Sequence, residues 1–414
     1  MRARSLVFAA GTALLLTCPL QADEPEAGAW EPLFVGFGTE PEMDFGGRTV
    51  MSLDSLISRS FSRIGDVGER HPGVAPAWEF PVGAAVLLIQ HEVGGHGGRA
   101  REFGLSPSYS FGYDLSAATG TERPPETNEG NALLAAGGVE ADGVMANRTL
   151  LDLLRPEGAD GAKVPLAMMA KLDLTLYVST AKDPDDGEDF VDQYRDGNDI
   201  AYYLLSRQAQ RRDADPASIW DGTYQADLGE PLLGNTWDDA RVTALWNLLD
   251  PSLVGAMINY FREHVLGGSE RVHAPVVRIS DSLGLTLGTR GALGPQEVSR
   301  FLDLHAATRR GVFTIYVRDL DSSTDRTYGA GASVHALRLG RNLEIGLAAD
   351  GWEEPDAREG IRSGSGWNAT AELDAFFNER WGLAAKVGSK SDGFFPGLPL
   401  EDGPYFAFGV RAAL

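Results

Sequence analysis

The spacing of apolar residues along this chain changes once, near residue 270. Before that point apolar residues recur every three or four positions, which predicts helices. Loops rich in Pro, Asp and Gly separate the helical stretches. We expect helices at 49–64, 81–103, 131–154, 164–179, 200–211 and 237–266.

From about residue 272 the apolar residues alternate with small or polar ones, which predicts strands. In the last segment, YFAFGVRAAL, Phe406, Phe408 and Val410 share one face, while Gly409 and Arg411 share the other. Strands are expected at 274–287, 296–308, 311–320, 327–339, 341–351, 366–377, 380–389 and 404–414.

Short turns alternate with longer loops between these strands, as they do in outer-membrane barrels. Strands of about ten residues also suit a tilted membrane strand. We therefore predict an α+β chain with a mainly helical domain at 23–268 and an eight-stranded antiparallel β-barrel at 269–414. A soluble β-sandwich is the alternative fold for the second half.

Residues 1–22 have the pattern of a secretory signal peptide, because Arg2 and Arg4 precede a short apolar run. The only cysteine, Cys18, lies within it. Any metal bound by the mature chain must therefore use His, Asp or Glu. Together with the barrel, the signal predicts export across the inner membrane. We expect the barrel in outer-membrane lipid and the helical domain on the periplasmic side.

The net charge of the chain is −23 at pH 7. Binding to phosphate backbones requires clustered Lys and Arg. We therefore expect no nucleic-acid partner.

The stretch HEVGGH, residues 91–96, is the strongest chemical signal in the sequence. Zinc peptidases commonly carry H-E-x-x-H, in which two histidines four positions apart lie on one face of a helix. Here His91 and His96 are five positions apart, so on an ideal α-helix they diverge by roughly 140°. A π-bulge would bring them together. Gly94 and Gly95 stand where the bulge must form, although each glycine costs about 1 kcal/mol inside a helix relative to alanine.

The H-E-x-x-x-H spacing resembles that of the dipeptidyl-peptidase III family of zinc peptidases. The surroundings resemble site-2-protease-type peptidases, because the apolar run PVGAAVLLIQ precedes the motif and Ala100, Gly104 and the strand-like SYSFGYDL follow it. The resemblance covers roughly 30 residues. It implies a zincin-like site in which His91 and His96 bind zinc.

A third protein ligand is expected, with water as the fourth. Glu140 is the first candidate, because it lies in an apolar stretch where an unpaired carboxylate is costly, and related zincins take a glutamate from a later helix. Asp142 is its near neighbour and competitor. Asp250, in NLLDPSLVG, is a further candidate because that stretch is similar to one that carries the aspartate ligand in site-2-type peptidases.

The sequence thus predicts a zinc-dependent metallopeptidase of the cell envelope, acting on a peptide or protein substrate. Glu92 would be the general base that activates the zinc-bound water. Tyr260 and His264 are interpreted as packing and capping residues. One alternative is a non-enzymatic outer-membrane protein with a structural or vestigial metal site. Another is hydrolysis of a non-peptide bond such as a cell-wall amide, since the metal chemistry is shared.

Overall fold

The computed structural model describes residues 33–38, 43–64, 71–322, 325–355, 364–378 and 381–412. The expected signal peptide and Cys18 lie outside these residues. Within them the chain is a mixed α+β protein with a helical N-terminal part and a large antiparallel sheet near its C-terminus.

The helices run close to the expected positions. A π-helix, Gln90–His96, lies between α2 and α3, and a second one, Tyr260–Val265, follows α10. The α-helices are α1 (Met43–Arg63), α2 (Pro76–Ile89), α3 (Gly97–Glu102), α4 (Asn128–Leu153), α5 (Lys163–Thr180), α6 (Glu188–Arg195), α7 (Asp199–Arg211), α8 (Pro216–Trp220), α9 (Pro231–Leu248) and α10 (Pro251–Asn259).

The expected helix at 237–266 is wrong in one respect, because it is divided into α9 and α10. Asp250 accepts hydrogen bonds from the backbone N–H groups of Ser252 and Leu253, and Pro251 follows it. An aspartate before a proline is a typical helix start, so the chain begins a new helix here. The short helices α6 and α8 were not expected.

The described residues contain 14 strands. Two small pairs lie apart from the main sheet: β2 (Ser108–Phe111) with β3 (Ala117–Gly120), and β4 (Ala159–Asp160) with β5 (Arg271–Val272). The main sheet contains β1 (Leu33–Gly38), β6 (Val277–Ser280), β7 (Leu283–Leu293), β8 (Val298–Thr308), β9 (Val312–Asp321), β10 (Arg326–Arg338), β11 (Leu343–Glu354), β12 (Gly364–Phe376), β13 (Trp381–Lys390) and β14 (Gly403–Ala412).

This sheet has 10 strands in the order β1-β14-β13-β12-β11-β10-β9-β8-β7-β6, and every pairing is antiparallel. The expected first strand, 274–287, is in fact β6 plus the start of β7. The N-terminal strand β1 was not expected, yet it pairs with β14. Among the described residues β1 and β6 do not pair with each other, so the sheet is open and the expected eight-stranded closure is not shown.

The two faces of the sheet have the reverse of the usual polarity. In β9 the side chains of Phe313, Ile315 and Val317 are exposed, whereas Thr314 and Arg318 are buried. The predicted outward set of the last strand, Phe406, Phe408 and Val410, is confirmed as exposed. Further exposed apolar residues on this face are Phe37, Leu302, Leu304, Leu347, Trp367, Leu373, Leu383 and Val387.

The polar inner face packs against helices α1 and α4. Arg48 of α1 contacts Glu372 and Asp374 at 2.5 and 2.7 Å, and Arg148 of α4 reaches Glu372 at 2.8 Å. A cavity of about 220 Å³, lined by both charged and apolar side chains, lies between α4 and the strands. Ion pairs between oppositely charged side chains therefore join α1 and α4 to the inner face of the sheet.

One helical stretch, Pro72–Glu102, is long and apolar enough to cross a membrane by length and composition. Only 28% of its most apolar window is buried. This stretch ends in the HEVGGH motif and α3.

Candidate metal centre

The π-helix brings the two histidines of the motif together. In this segment the backbone hydrogen bonds join residues five apart, so His91 and His96 lie on one face. Their Nε2 atoms are 3.1 Å apart and their ring planes cross at 71°. The predicted π-bulge at this position is confirmed.

Two glycine pairs allow the π-helix to lie directly against α4. A Cβ atom at Gly95 would stand 2.4 Å from the carbonyl oxygen of Gly137. A Cβ atom at Gly138 would stand 2.2 Å from Nε2 of His91. The glycines of the motif therefore serve backbone packing as well as the wide helical turn.

Asp199 supplies a third donor that the sequence did not indicate. Its Oδ2 atom lies 3.4 Å from Nε2 of His91 and 3.3 Å from Nε2 of His96. Asp199 opens helix α7, whose start is fixed by Asn198 capping the N–H of Ala201. Four ligands arranged tetrahedrally at zinc distances of about 2.0–2.1 Å lie about 3.3 Å from one another. The three donor atoms thus fit around one such ion.

Each imidazole is held by its other nitrogen. Nδ1 of His96 lies 2.6 Å from the carbonyl oxygen of Leu134, which can only accept, so this nitrogen carries the proton. Nδ1 of His91 lies 2.9 Å from Asp142 and 3.1 Å from Asp173. Such contacts leave Nε2 unprotonated toward the centre and are usual for metal-binding histidines.

Glu92 and Tyr177 complete the surroundings. Thr119, on β3, donates to Oε2 of Glu92 at 2.6 Å. A carboxylate oxygen of Glu92 lies within 4.8 Å of both histidine donors. The Tyr177 ring stacks on His91 with an interplanar angle of 7°, and its hydroxyl lies 3.2 Å from Nε2 of His91. A base and a hydroxyl donor therefore face the same centre.

The electrostatics of the site favour positive charge. Burial alone would lower the pKa of His91, but Asp173, Asp142 and Asp199 outweigh it and raise this pKa well above its usual value. Burial would also lower the pKa of His96, but the nearby carboxylate of Asp199 outweighs burial, so this pKa is raised. Asp199 is only partly exposed, which opposes ionisation, yet the two histidines hold its pKa below the ordinary value. The carboxylates therefore stabilise a cation, whether protons on the imidazoles or a metal ion.

The structure does not bring Glu140 to the histidines. Glu140 instead forms a buried ion pair with Arg99, whose Nε lies 3.0 Å away, and accepts from the N–H of Gly397 at 2.7 Å. These partners satisfy the buried carboxylate that had suggested a ligand. Glu140 thus joins α3 and α4 to the loop between β13 and β14.

The two alternative ligands are also placed elsewhere. Asp142 contacts Nδ1 of His91, the ring nitrogen that lies away from the three donor atoms. Asp250 pairs with Lys171 at 3.0 Å and caps α10. Tyr260 and His264 both contact Glu79, at 2.7 and 2.8 Å, in keeping with their interpretation as packing residues.

Comparisons with protein-family models, with curated proteins and with solved structures found no match for this chain. The family resemblances of the motif therefore stay predictions.

Proposed function

We propose that the chain is a zinc-dependent hydrolase that cleaves peptide bonds. The observation that carries this proposal is the triangle of donor atoms from His91, His96 and Asp199, with sides of 3.1–3.4 Å. Two histidines and one carboxylate are the protein ligands of many hydrolytic zinc sites. A zinc ion held there would polarise the scissile carbonyl and acidify a water molecule.

The chain's own residues supply the proton transfers. Glu92 accepts a proton from the attacking water and passes it to the leaving amine. Thr119 holds the carboxylate of Glu92 in place. Tyr177 donates a hydrogen bond toward the oxygen that gains negative charge. The side chain of Asp199 is 20% exposed and that of His91 is 3% exposed, so the substrate enters on the side of Asp199.

The metal and the base are tested together with Glu92→Gln. We expect this variant to keep about one zinc per chain after dialysis and to lose hydrolysis of an unstructured protein such as casein. Thr121→Ala is the matched control, because it removes a hydroxyl group from the same region that is not bonded to Glu92. We expect this variant to keep both zinc and hydrolysis. Full hydrolysis by Glu92→Gln would rule out this mechanism.

A structural metal site is the second candidate, because an oxygen of Glu92 lies close enough to the histidines to act as a fourth ligand. Structural sites are closed by four protein ligands. In that case Glu92→Gln loses zinc, and the unsubstituted protein already shows no hydrolysis. The same donors also suit iron(II), so elemental analysis should cover both metals. A cell-wall amide is an alternative substrate that the same variants test.

We also propose that the sheet lies in the outer membrane. The support is its reversed polarity, because Ile315 and Val317 face outward while Arg318 is buried. A lipid-facing strand shows this alternation. Recovery of the mature protein in the soluble periplasmic fraction would contradict this location.

A further inference from the structure

The open edge of β1 is satisfied by side chains of helix α1. Ser52 Oγ accepts from the N–H of Phe34 at 3.0 Å and donates to its carbonyl oxygen at 3.1 Å. Thr49 accepts from the N–H of Gly36 at 3.1 Å. These backbone groups therefore need no neighbouring strand.

The opposite edge is closed in the same way. Strand β6 pairs only with 283–285 of β7, so the remainder of β7 has no strand on that side among the described residues. There Asn247 of α9 accepts from the N–H of Gly291 at 2.7 Å, and the ammonium group of Lys171 donates to the carbonyl oxygen of Thr289. The hydroxyl of Thr289 donates to the backbone carbonyl oxygen of Trp246 at 2.7 Å.

Four helices link these two edges. Helix α1 packs on β1, α2 packs on α1, α5 packs on α2, α9 packs on α5, and α9 returns to β7. Helix α4 lies inside this circuit, in contact with α1, α5 and β7. The sheet and the four helices thus form a closed ring around α4.

The outer surface of the helical sector also carries exposed apolar side chains. Leu245 of α9 is 55% exposed and Ile258 of α10 is 51% exposed. Other large apolar side chains exposed on these helices and on the π-helix after α10 are Ile89, Leu176, Val242, Leu248, Val254 and Phe261.

This apolar surface has a defined border. On α9 the exposed residues from Asn235 to Arg241 are polar, and those from Val242 onward are apolar. Thr175 of α5 donates to the carbonyl oxygen of Ala244 at 2.8 Å, which places α5 and α9 in register. On α5 the last exposed apolar residue is Leu176, followed by exposed Ser179. Both helices therefore change from apolar to polar at the same level.

We infer that α2, α5, α9 and α10 face the lipid hydrocarbon and complete a continuous membrane belt with the sheet. This inference rests on the proposed lipid-facing sheet. Hydrocarbon does not tolerate an open sheet edge unless protein covers it, and here helices bond to the open edge of β1 and to the part of β7 that β6 leaves unpaired. Large exposed apolar surfaces of this kind mark membrane or protein contacts, and continuity with the sheet identifies the occupant as lipid.

The inference also locates the metal centre. Tyr177, which touches His91, directly follows the border residue Leu176, and His91 comes two residues after exposed Ile89. The hydrolytic site would therefore lie at the rim of the belt, where the polypeptide part of a membrane-anchored substrate meets the lipid surface.

Spin labels at single cysteines test the belt. The only cysteine, Cys18, lies in the expected signal peptide, so the mature protein gives a cysteine-free background. Labels are introduced by Leu245→Cys and Ile258→Cys on the helices, Ile315→Cys on the sheet and Asp238→Cys on the polar part of α9. The full-length mature protein is placed in phosphatidylethanolamine–phosphatidylglycerol vesicles, and the accessibility of each label to oxygen and to a water-soluble nickel chelate is measured.

We expect labels at 245 and 258 to favour oxygen over the nickel chelate as strongly as the label at 315, and the label at 238 to show the reverse. If the label at 315 favours oxygen while those at 245 and 258 behave like 238, the helices face water and the inference is overturned, although the proposed sheet location survives. If 315 also favours the nickel chelate, the sheet location itself fails.

Discussion

The carboxylate of Asp199 lies 3.3 Å from Nε2 of His96, whereas the carboxylate of Glu140 is bound to Arg99. This difference makes a direct prediction. Asp199→Asn should lose most of its zinc, because the neutral amide is a poor third ligand. Glu140→Gln should keep zinc and lose stability, but by less than the roughly 3–5 kcal/mol of a fully broken buried pair, because Arg99 keeps its ion pair with Glu102 at 2.7 Å.

Elemental analysis after dialysis and urea unfolding, both performed on each variant, separate the two roles. Zinc loss in Glu140→Gln with unchanged unfolding would restore Glu140 as a ligand and remove Asp199 from the site.

Asp142 should tune metal affinity without binding the metal. It lies 2.9 Å from Nδ1 of His91 and fixes the orientation of the ring. Mutating such a partner typically lowers metal affinity about 10–100-fold. We expect a loss of this size in Asp142→Asn, measured by competition with a zinc-binding dye. Asp114→Asn, on the exposed tip of the β2–β3 hairpin, is the control, and an equal affinity in both variants would argue against the orienting role.

Alanine substitutions at two glycines of α4 should have opposite effects on the protein. A methyl group at Gly138 would collide with the His91 ring, whereas one at Gly143 has no atom within 4 Å. Gly138→Ala should therefore displace His91 and release zinc. Gly143→Ala should stabilise the fold by up to about 1 kcal/mol, because alanine favours the helix. Zinc content and the midpoint of urea unfolding distinguish these outcomes, and a zinc-loaded Gly138→Ala would show that the ring is free to move.

Much of this arrangement was readable from the sequence where the signal is local. The wide turn at HEVGGH followed from the spacing of His91 and His96 and from the two glycines between them. The outward faces of the strands followed from alternation in segments such as YFAFGVRAAL. Both patterns are decided by neighbours along the chain.

The third donor was not readable, because it depends on tertiary packing. Asp199 follows Asn198 at the start of a helix and has the appearance of an ordinary residue of a first turn. Glu140 looked like a ligand because a buried carboxylate needs a partner, but the partner is Arg99, a residue of the motif's own helix. The strand β1 was missed for the same reason, since its pairing with β14 joins opposite ends of the chain.

Tyr177 should affect turnover more than substrate binding. Its hydroxyl lies 3.2 Å from Nε2 of His91, one of the proposed metal-binding atoms. Loss of one donor to a developing oxyanion typically lowers kcat about 10²–10³-fold. Tyr177→Phe should therefore reduce kcat with little change in KM and full zinc content. Tyr113→Phe, at the exposed hairpin tip, is the control. An unchanged kcat in Tyr177→Phe would assign Tyr177 to packing alone.

The proposed location of the sheet in the outer membrane leaves open which side carries the candidate metal centre, and a simple test decides this. Helix α7 contacts two connections at one end of the sheet, because Tyr203 donates to Gly294 at 2.9 Å and Arg211 donates to Ser322 at 2.8 Å. Strands β11 and β13 end at this same end of the sheet, where the long connection 391–402 begins, and in outer-membrane barrels the longer loops face the outside. This placement favours the cell surface for the metal centre, in contrast to the periplasmic side expected from the sequence.

In the otherwise cysteine-free mature protein, Asp189→Cys on α6 should react with a membrane-impermeant maleimide in intact cells. Arg310→Cys, in the short turn between β8 and β9 at the opposite end, should react only after the outer membrane is permeabilised. The reverse pattern of labelling would return the metal centre to the periplasm. Its substrates would then come from inside the envelope rather than from the cell's surroundings, so this labelling also decides where to look for them.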